Sequence, residues 1–566
     1  MFEELSARAH TILQETYSVK DVVVRWRRPT ERNFGDLSTS APLQLAKSLG
    51  KKPREIAEEL AKGLKGFKGV ERVEIAGAGY VNVWLEPASL LAELSSAVSA
   101  CSPLPVRKKE KPVLIDYSGP NIAKPLGVHH ILSTVIGQVL ANIHQHLGYP
   151  VIGVNYIGNW GTQFGKLAVA LKKWGKKPAA ACSVDELLEL YVRFHNEAEK
   201  DPALDDEARA AFQRLESGDK ELEQFLQDVT KVTMADIEII YQRLHVKINE
   251  VRGEYHYRNA MGPIIEEGKE KGIFTKGEEG ALVVQFPEEL NLPTSVVLKG
   301  DGATVYLTRD LAAVRDRIET WHPQVMLYVV DVSQMLHLQQ VFATCKLLGW
   351  DLPQLEHIVF GRMRFADKSM STRKGNILKL SEVLDEAVKR ADAVIGEHGE
   401  SIQTDDRSAL AEMMGVGGVV YGILSQNRKM DIVFDWKKAL ALEGNSAPYL
   451  QYTHARARSV LRKAELKKEA ALPKKSGPLS AAERTLIGTL LEFPDALTEA
   501  CAQRMPHTLT NYLYALCQDF NAFYNADPIL KAESAARTLR LALTSLTATV
   551  LQTGAELLTL RVPDRM

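Results

Sequence analysis

The segment Val113-Leu114-Ile115-Asp116-Tyr117 constrains the fold of this chain more than any other. It is an apolar run with a proline-bearing linker before it and Pro120 and Pro125 after it, which reads as a buried strand. A helical pattern follows from about His129 to Leu147 and ends at Gly148-Tyr149-Pro150. Val151-Ile152-Gly153-Val154-Asn155-Tyr156 then reads as a second strand. Strand, helix and strand with a buried first strand make a βαβ unit, so a parallel sheet is expected. Ligands bind such sheets beyond the carboxyl ends of the strands. The residues after Ile115 are therefore the place to look for chemistry.

A chain of 566 residues is too long for one ordinary domain. The stretch Ser102–Pro112 combines prolines with a charge run and no apolar periodicity, which marks a boundary. Before it, a helical pattern covers Ala41 to Leu64 with a break at Gly50–Pro53. The alternating run Val73-Glu74-Ile75 then leads through Gly77 and Gly79 into Tyr80–Leu85, so an α+β domain is expected over 1–105. An α/β domain of Rossmann type is expected over 106–440, interrupted by an acidic, helical insertion at about 165–290. Sheet-like runs return at Ala303–Leu307 and Val325–Val330. From about Gly415 the pattern is nearly all helical, giving an all-α domain over 441–566 with a loop at Lys463–Lys475.

Composition excludes several classes. No apolar run approaches the length of a membrane span, and Met1-Phe2-Glu3-Glu4 lacks the basic start of a secretory signal. The five cysteines form no CxxC pair, so neither a protein-bound metal nor a disulfide framework is expected, and a cytoplasmic location fits. A net charge of −1 argues against a general basic coat for nucleic acid. Local patches remain open: eight basic residues against two acidic ones lie between Arg456 and Lys475.

Two segments carry the chemistry. The first, Asp116 to His130, is a strand end, a proline turn and a helix start, where free N–H groups and a positive dipole suit phosphates. Lys124 and His130 add hydrogen bonds and charge there, and Asp116 offers a partner for a cation. A helix cap with incidental histidines accounts for it equally well. The second, Lys368-Ser369-Met370-Ser371-Thr372-Arg373-Lys374-Gly375-Asn376, is cationic and hydroxyl-rich, as an anion-binding loop or a solvated turn is.

In this order and separation the two segments resemble the signature pair of the class I aminoacyl-tRNA synthetases. Pro120-Asn121-Ile122-Ala123-Lys124-Pro125 and Met370-Ser371-Thr372-Arg373-Lys374-Gly375 resemble the versions found in the arginine–tRNA ligase family. Gly158–Gly165, Tyr306-Leu307-Thr308-Arg309-Asp310, Pro448–Arg456, the terminal Arg565-Met566 and, near the N-terminus, Gly35–Ser38 agree, so the resemblance spans the chain. Where the family usually has His-Val-Gly-His, this chain has Gly127-Val128-His129-His130, and Ser369 replaces the leading lysine of the second motif.

The resemblance implies activation of L-arginine by ATP to arginyl-adenylate, then transfer to the 3′ end of its tRNA, with activation dependent on bound tRNA. It implies an arginine site of Asp116, Asn121 and His130 at the α-amino end and Tyr306, Asp310 and Gln334 around the guanidinium. A planar guanidinium fork matches a carboxylate, which agrees with Asp310 in that role; an ion pair of Asp310 with Arg309 or Arg315 is the other reading. Gly127, Val128, His129, His130, Met370 and Ser371 are implied in ATP binding. Lys124, His130, Lys368, Arg373 and Lys374 are the candidate stabilisers of phosphate charge. Magnesium is expected to travel with ATP. Tyr449, Tyr452, His454, Arg456, Tyr524 and Met566 are the candidate tRNA contacts; Tyr512, Phe520 and Tyr524 share a helical face that by itself reads as core. No membrane partner is expected, and a monomer is. The competing readings are a non-catalytic synthetase-like binder of tRNA or arginine, and a nucleotidyltransferase for another substrate.

Overall fold

The alternating and helical patterns of the first hundred residues build helices on one small antiparallel sheet. In the computed structural model, which describes residues 1–19, 22–29, 31, 34–366, 378–399, 402–465, 470–474 and 476–566, this part comprises α1 (Phe2–Tyr17), β1 (Leu37–Thr39), α2 (Ala41–Leu49), α3 (Pro53–Leu64), β2 (Val70–Ala76), β3 (Tyr80–Leu85) and α4 (Pro87–Ala97). Its strands run in the order β1-β3-β2. The break between α2 and α3 has a local cause: Gly50 caps α2 at φ 61, and Pro53 opens α3 at its first position.

The linker leads into β4 (Val113–Asp116), α5 (His130–His146) and β5 (Val151–Asn155), the expected βαβ unit. Four helices follow: α6 (Thr162–Trp174), α7 (Val184–Ala198), α8 (Ala203–Glu216) and α9 (Lys220–Arg243). The chain then returns to the central sheet through β6 (Glu250–Val251). Next come α10 (Met261–Glu270) and an antiparallel sheet of β7 (Phe274–Lys276), β8 (Leu282–Val284) and β9 (Ser295–Leu298). The stretch expected as a helical insertion is therefore helical to Arg243 and mixed beyond it. Next are α11 (Tyr306–Trp321), β10 (Val325–Tyr328), α12 (Met335–Leu347), β11 (Gln354–His357), β12 (Met363–Phe365), α13 (Leu380–Glu397), α14 (Arg407–Leu424), β13 (Ile432–Phe434) and α15 (Trp436–Ala439).

The expected strand at Ala303–Leu307 is absent. Thr304 makes a single bridge to Leu298, and Tyr306 already opens α11. Leu307, Leu311 and Val314 are buried at helical spacing, and that periodicity extends well past the short β-like run.

The central sheet is parallel, in the order β11-β10-β4-β5-β6, and all four residues of β4 are buried. The chain leaves β4 for β5 on one side and later comes back to β10 on the other. The strand order thus reverses between β4 and β10, where such sheets open a crevice at their carboxyl ends. Asp116 ends β4 and Tyr328 ends β10.

The remaining helices, α16 (Ala447–Lys463), α17 (Ala481–Leu491), α18 (Phe493–Gln503), α19 (Pro506–Ala526) and α20 (Ser534–Leu557), form the expected all-α domain. Among the described residues no helix is long and apolar enough to cross a membrane. The N-terminal sheet docks on α17 through Arg484, which donates to the buried Asp36 carboxylate at 2.5 Å, to the Leu85 carbonyl at 3.0 Å and to Glu71 at 2.7 Å. Arg484→Met leaves Asp36 buried without its cation, a change that costs about 3–5 kcal/mol when burial is complete. The expected result is a lower Tm in thermal denaturation and faster proteolysis of the N-terminal domain.

Candidate active site

The crevice at the β4/β10 switch holds a cavity of about 280 Å³. Asp116, Asn121, Tyr306, Asp310 and Gln334 all line it, although they lie in separate parts of the sequence. Asp116 comes from the end of β4 and Asn121 from the turn that follows. That turn is tight: Ser118, Gly119 and Ala123 have φ of 72°, 58° and 60°. Tyr306 and Asp310 stand one turn apart at the start of α11, and Gln334 is the N-cap of α12. His130 does not reach the cavity.

Each carboxylate at the cavity has a partner, and the partners are new. Asp116 accepts from Arg317 at 2.8 Å; Arg317 is 1 % exposed and lies between the rings of Tyr156 and Tyr328. Asp310 pairs with neither Arg309 nor Arg315. Its Oδ2 lies 2.5 Å from His337 Nε2, while Arg309 faces Glu254 at 3.4 Å and Arg315 faces Glu267. The Asp310 carboxylate pulls the His337 pKa upward against the effect of burial. Burial pushes the Glu254 carboxyl up to about 7, with Arg309 opposing and Asp310 reinforcing the shift.

The first motif lies at the start of α5. Helix geometry puts His129 at the N-cap and sets its ring against that of His130, with centroids 3.9 Å apart and planes tilted by 39°. His130 Nδ1 lies 3.2 Å from the Gly127 N–H and 3.3 Å from the Gly127 carbonyl, so the backbone of Gly127 engages Nδ1. Burial and the neighbouring His129 lower the His130 pKa to about 4. The ring is neutral at physiological pH, so it offers a hydrogen bond and not the charge expected of it. Gly127 and Val128 pair with the strand-like segment Leu378–Leu380: Val128 N–H donates to the Leu378 carbonyl at 3.0 Å, and Leu380 N–H to Leu126 at 2.8 Å. Lys124 projects its ammonium over the Tyr191 ring at 5.0 Å. Lys368, Met370, Ser371, Arg373 and Lys374 lie outside the described residues.

A second, larger cleft of about 1150 Å³ opens in the helical domain, and Tyr452, Arg456, Tyr524 and Met566 line it. The Arg456 guanidinium sits between the rings of Tyr452 and Tyr524, at 4.8 and 5.2 Å. Tyr524 is exposed, whereas its helix mates Tyr512 and Phe520 are core. Tyr449 and His454 face elsewhere. Tyr449 accepts from Asn521 at 3.0 Å, and the buried His454 ring bonds to the Pro563 carbonyl at 2.9 Å, anchoring the C-terminal segment.

The family described as "tRNA synthetases class I (R), catalytic domain" matches residues 94–436. "Arginyl tRNA synthetase N terminal domain" matches 3–85, and "DALR anticodon binding domain" matches 450–566. The chain belongs to the arginine–tRNA ligase family. The ligase of Fusobacterium nucleatum is 38% identical over 539 residues, covering 95% of this chain and 94% of that one. The ligase of Clostridioides difficile is 36% identical over 564 residues, covering 98% and 97%. Among solved structures, the Thermus thermophilus arginyl-tRNA synthetase superposes with a TM-score of 0.80 at 26% identity over the whole of both chains. As a member of this family the chain is a ligase that forms aminoacyl-tRNA, uses ATP as class I synthetases do, and carries a tRNA-binding anticodon domain.

Within this ligase the sequence reading missed Arg317, Glu254 and His337. Two of them had a usable signal. Arg317 follows Asp310 by two helical turns, and His337 follows Gln334 by one. Glu254 had none, because only folding brings it to α11.

Proposed function

We propose that the cavity binds L-arginine, with Asp310, Gln334 and Tyr306 around the guanidinium and Asp116 with Asn121 toward the α-amino group. The convergence of these five side chains on one cavity carries the reading. A carboxylate fits a guanidinium fork, and a buried acceptor left unpaired by the wrong substrate penalises it strongly. The arginine carboxylate then attacks the α-phosphate of ATP, forming a C–O–P bond and releasing pyrophosphate. A carboxylate needs no base for this, so the protein's contribution is positioning and charge stabilisation. Lys124 supplies charge, and His130 Nε2 and the backbone at the start of α5 supply hydrogen bonds. Mg2+ enters with the ATP phosphates. The terminal ribose hydroxyl of the tRNA for arginine next attacks the adenylate carbonyl and releases AMP. The cleft of Tyr452, Arg456, Tyr524 and Met566 stacks unpaired bases of that tRNA, a role suited to aromatic rings beside a guanidinium.

The test is ATP-dependent charging of total tRNA with arginine, lysine and citrulline. Arginine alone should be accepted. Citrulline has the same length but no charge, so comparable charging with it would overturn the guanidinium assignment.

A further inference from the structure

The polar groups of the cavity include one titratable ring that the proposed chemistry does not use. His337 is on α12, one turn beyond Gln334, and its ring lines the same cavity. Its Nε2 is 2.5 Å from Asp310 Oδ2, the carboxylate assigned to the substrate's guanidinium. The other carboxylates nearby are already matched, Asp116 by Arg317 and Glu254 by Arg309. Tyr306 of α11 and the phenols of Tyr117, Tyr156 and Tyr328 also line the cavity, and Cys345 of α12 lies near Asp310; burial raises the pKa of Tyr117, Tyr156, Tyr328 and Cys345.

Charge counting then decides what must happen on binding. Before substrate binds, a protonated His337 would neutralise Asp310 across their hydrogen bond. When a guanidinium arrives, a protonated His337 would leave two cations on one carboxylate in a partly buried site, where like charges repel strongly. A neutral His337 removes the conflict, because its Nε2–H still donates to Oδ2 and the second oxygen stays open to the substrate.

We infer that His337 is a positioning residue that stands in for the substrate's guanidinium: protonated, it holds Asp310 before substrate binds, and it gives its proton to solvent as arginine binds. This rests on the arginine reading of the cavity. The sign follows from linkage. Arginine disfavours the protonated form, so the apparent affinity is weakest below the His337 pKa and rises as pH is raised through it. Specificity follows as well, because only a cationic ligand expels the proton.

The experiment measures kcat and KM for arginine in tRNA charging across the range where histidine titrates. It also measures proton release by calorimetry of arginine binding to the enzyme–tRNA complex in buffers of different ionisation heat. Glu254 titrates in the same range, so the reading is a difference between variants. His337→Gln keeps an N–H donor but cannot titrate. It should flatten the fall of log KM with rising pH by about one log unit per pH unit and remove roughly one released proton. His337→Phe, which has no donor, should raise KM at every pH and show the same loss of slope. A purely structural role would lower the Tm and leave slope and proton release as in the wild type, and that result overturns the inference. Wild-type enzyme that charges no arginine at any pH overturns the cavity reading itself. Wild-type enzyme that charges arginine, with the same slope in His337→Gln, overturns the inference alone.

Discussion

Asp310→Ala is expected to raise the arginine KM by up to roughly 10²- to several 10³-fold, since stranding one member of a charged pair costs about 3–5 kcal/mol when burial is complete and Asp310 is partly buried. The substitution removes the carboxylate that faces the guanidinium and leaves His337 without its partner. The fold should survive, because Asp310 lies at the cavity wall near the start of α11 and Asp116 keeps its own cation, Arg317. Steady-state charging kinetics with a parallel thermal melt separate the two effects. An unchanged KM would make Asp310 a structural partner of His337 and nothing more. Asp310→Asn should fall between, since the amide retains one acceptor but not the charge.

Lys124→Ala is expected to lower kcat for charging by roughly 10²–10³-fold, the usual loss when one preorganised stabiliser of transition-state charge is removed, with little change in the arginine KM. The surroundings motivate the size. Gly127 offers only backbone, and burial keeps His129 and His130 neutral. Lys379, which pairs with Gly127 in the backbone bridge, has its ammonium tied to Asp185 at 2.7 Å. Lys124 follows the left-handed Ala123 on the turn above the strand end, with its ammonium resting on an aromatic face and not on a carboxylate. A near wild-type rate in Lys124→Ala would shift the role to Lys368 or Arg373. Pre-steady-state formation of the adenylate, measured with tRNA present, isolates the step.

Much of this was legible in the chain itself, for reasons of local physics. The apolar run of β4, the proline-bearing turn and the helix after it specify a βαβ unit from periodicity and breakers alone, and the parallel sheet puts the site at the carboxyl ends. The Gly50–Pro53 break between α2 and α3 is written in backbone preferences. Family resemblance, and not spacing, supplied Tyr306 and Asp310, which the structure sets one turn apart on α11. It also supplied Asn121 and Gln334, which folding does bring to the same cavity. The short run Ala303–Leu307 misled because a few alternating residues carry little periodicity, and the longer helical pattern from Leu307 outweighs it.

The partners of the charged groups were decided by tertiary structure only. Nothing in spacing pairs Asp116 with Arg317, Arg309 with Glu254 or Asp310 with His337, because each contact spans a long stretch of chain and depends on how α11 and α12 pack over the sheet. Burial is likewise a property of the whole fold. It neutralises His130, which the motif presents as a charge, and it turns His454 and Tyr449 away from the cleft that Tyr452 and Arg456, on the same helix, line. Sequence determined which chemistry is present; the low-dielectric interior decided which of those groups carry charge and which surface each one faces.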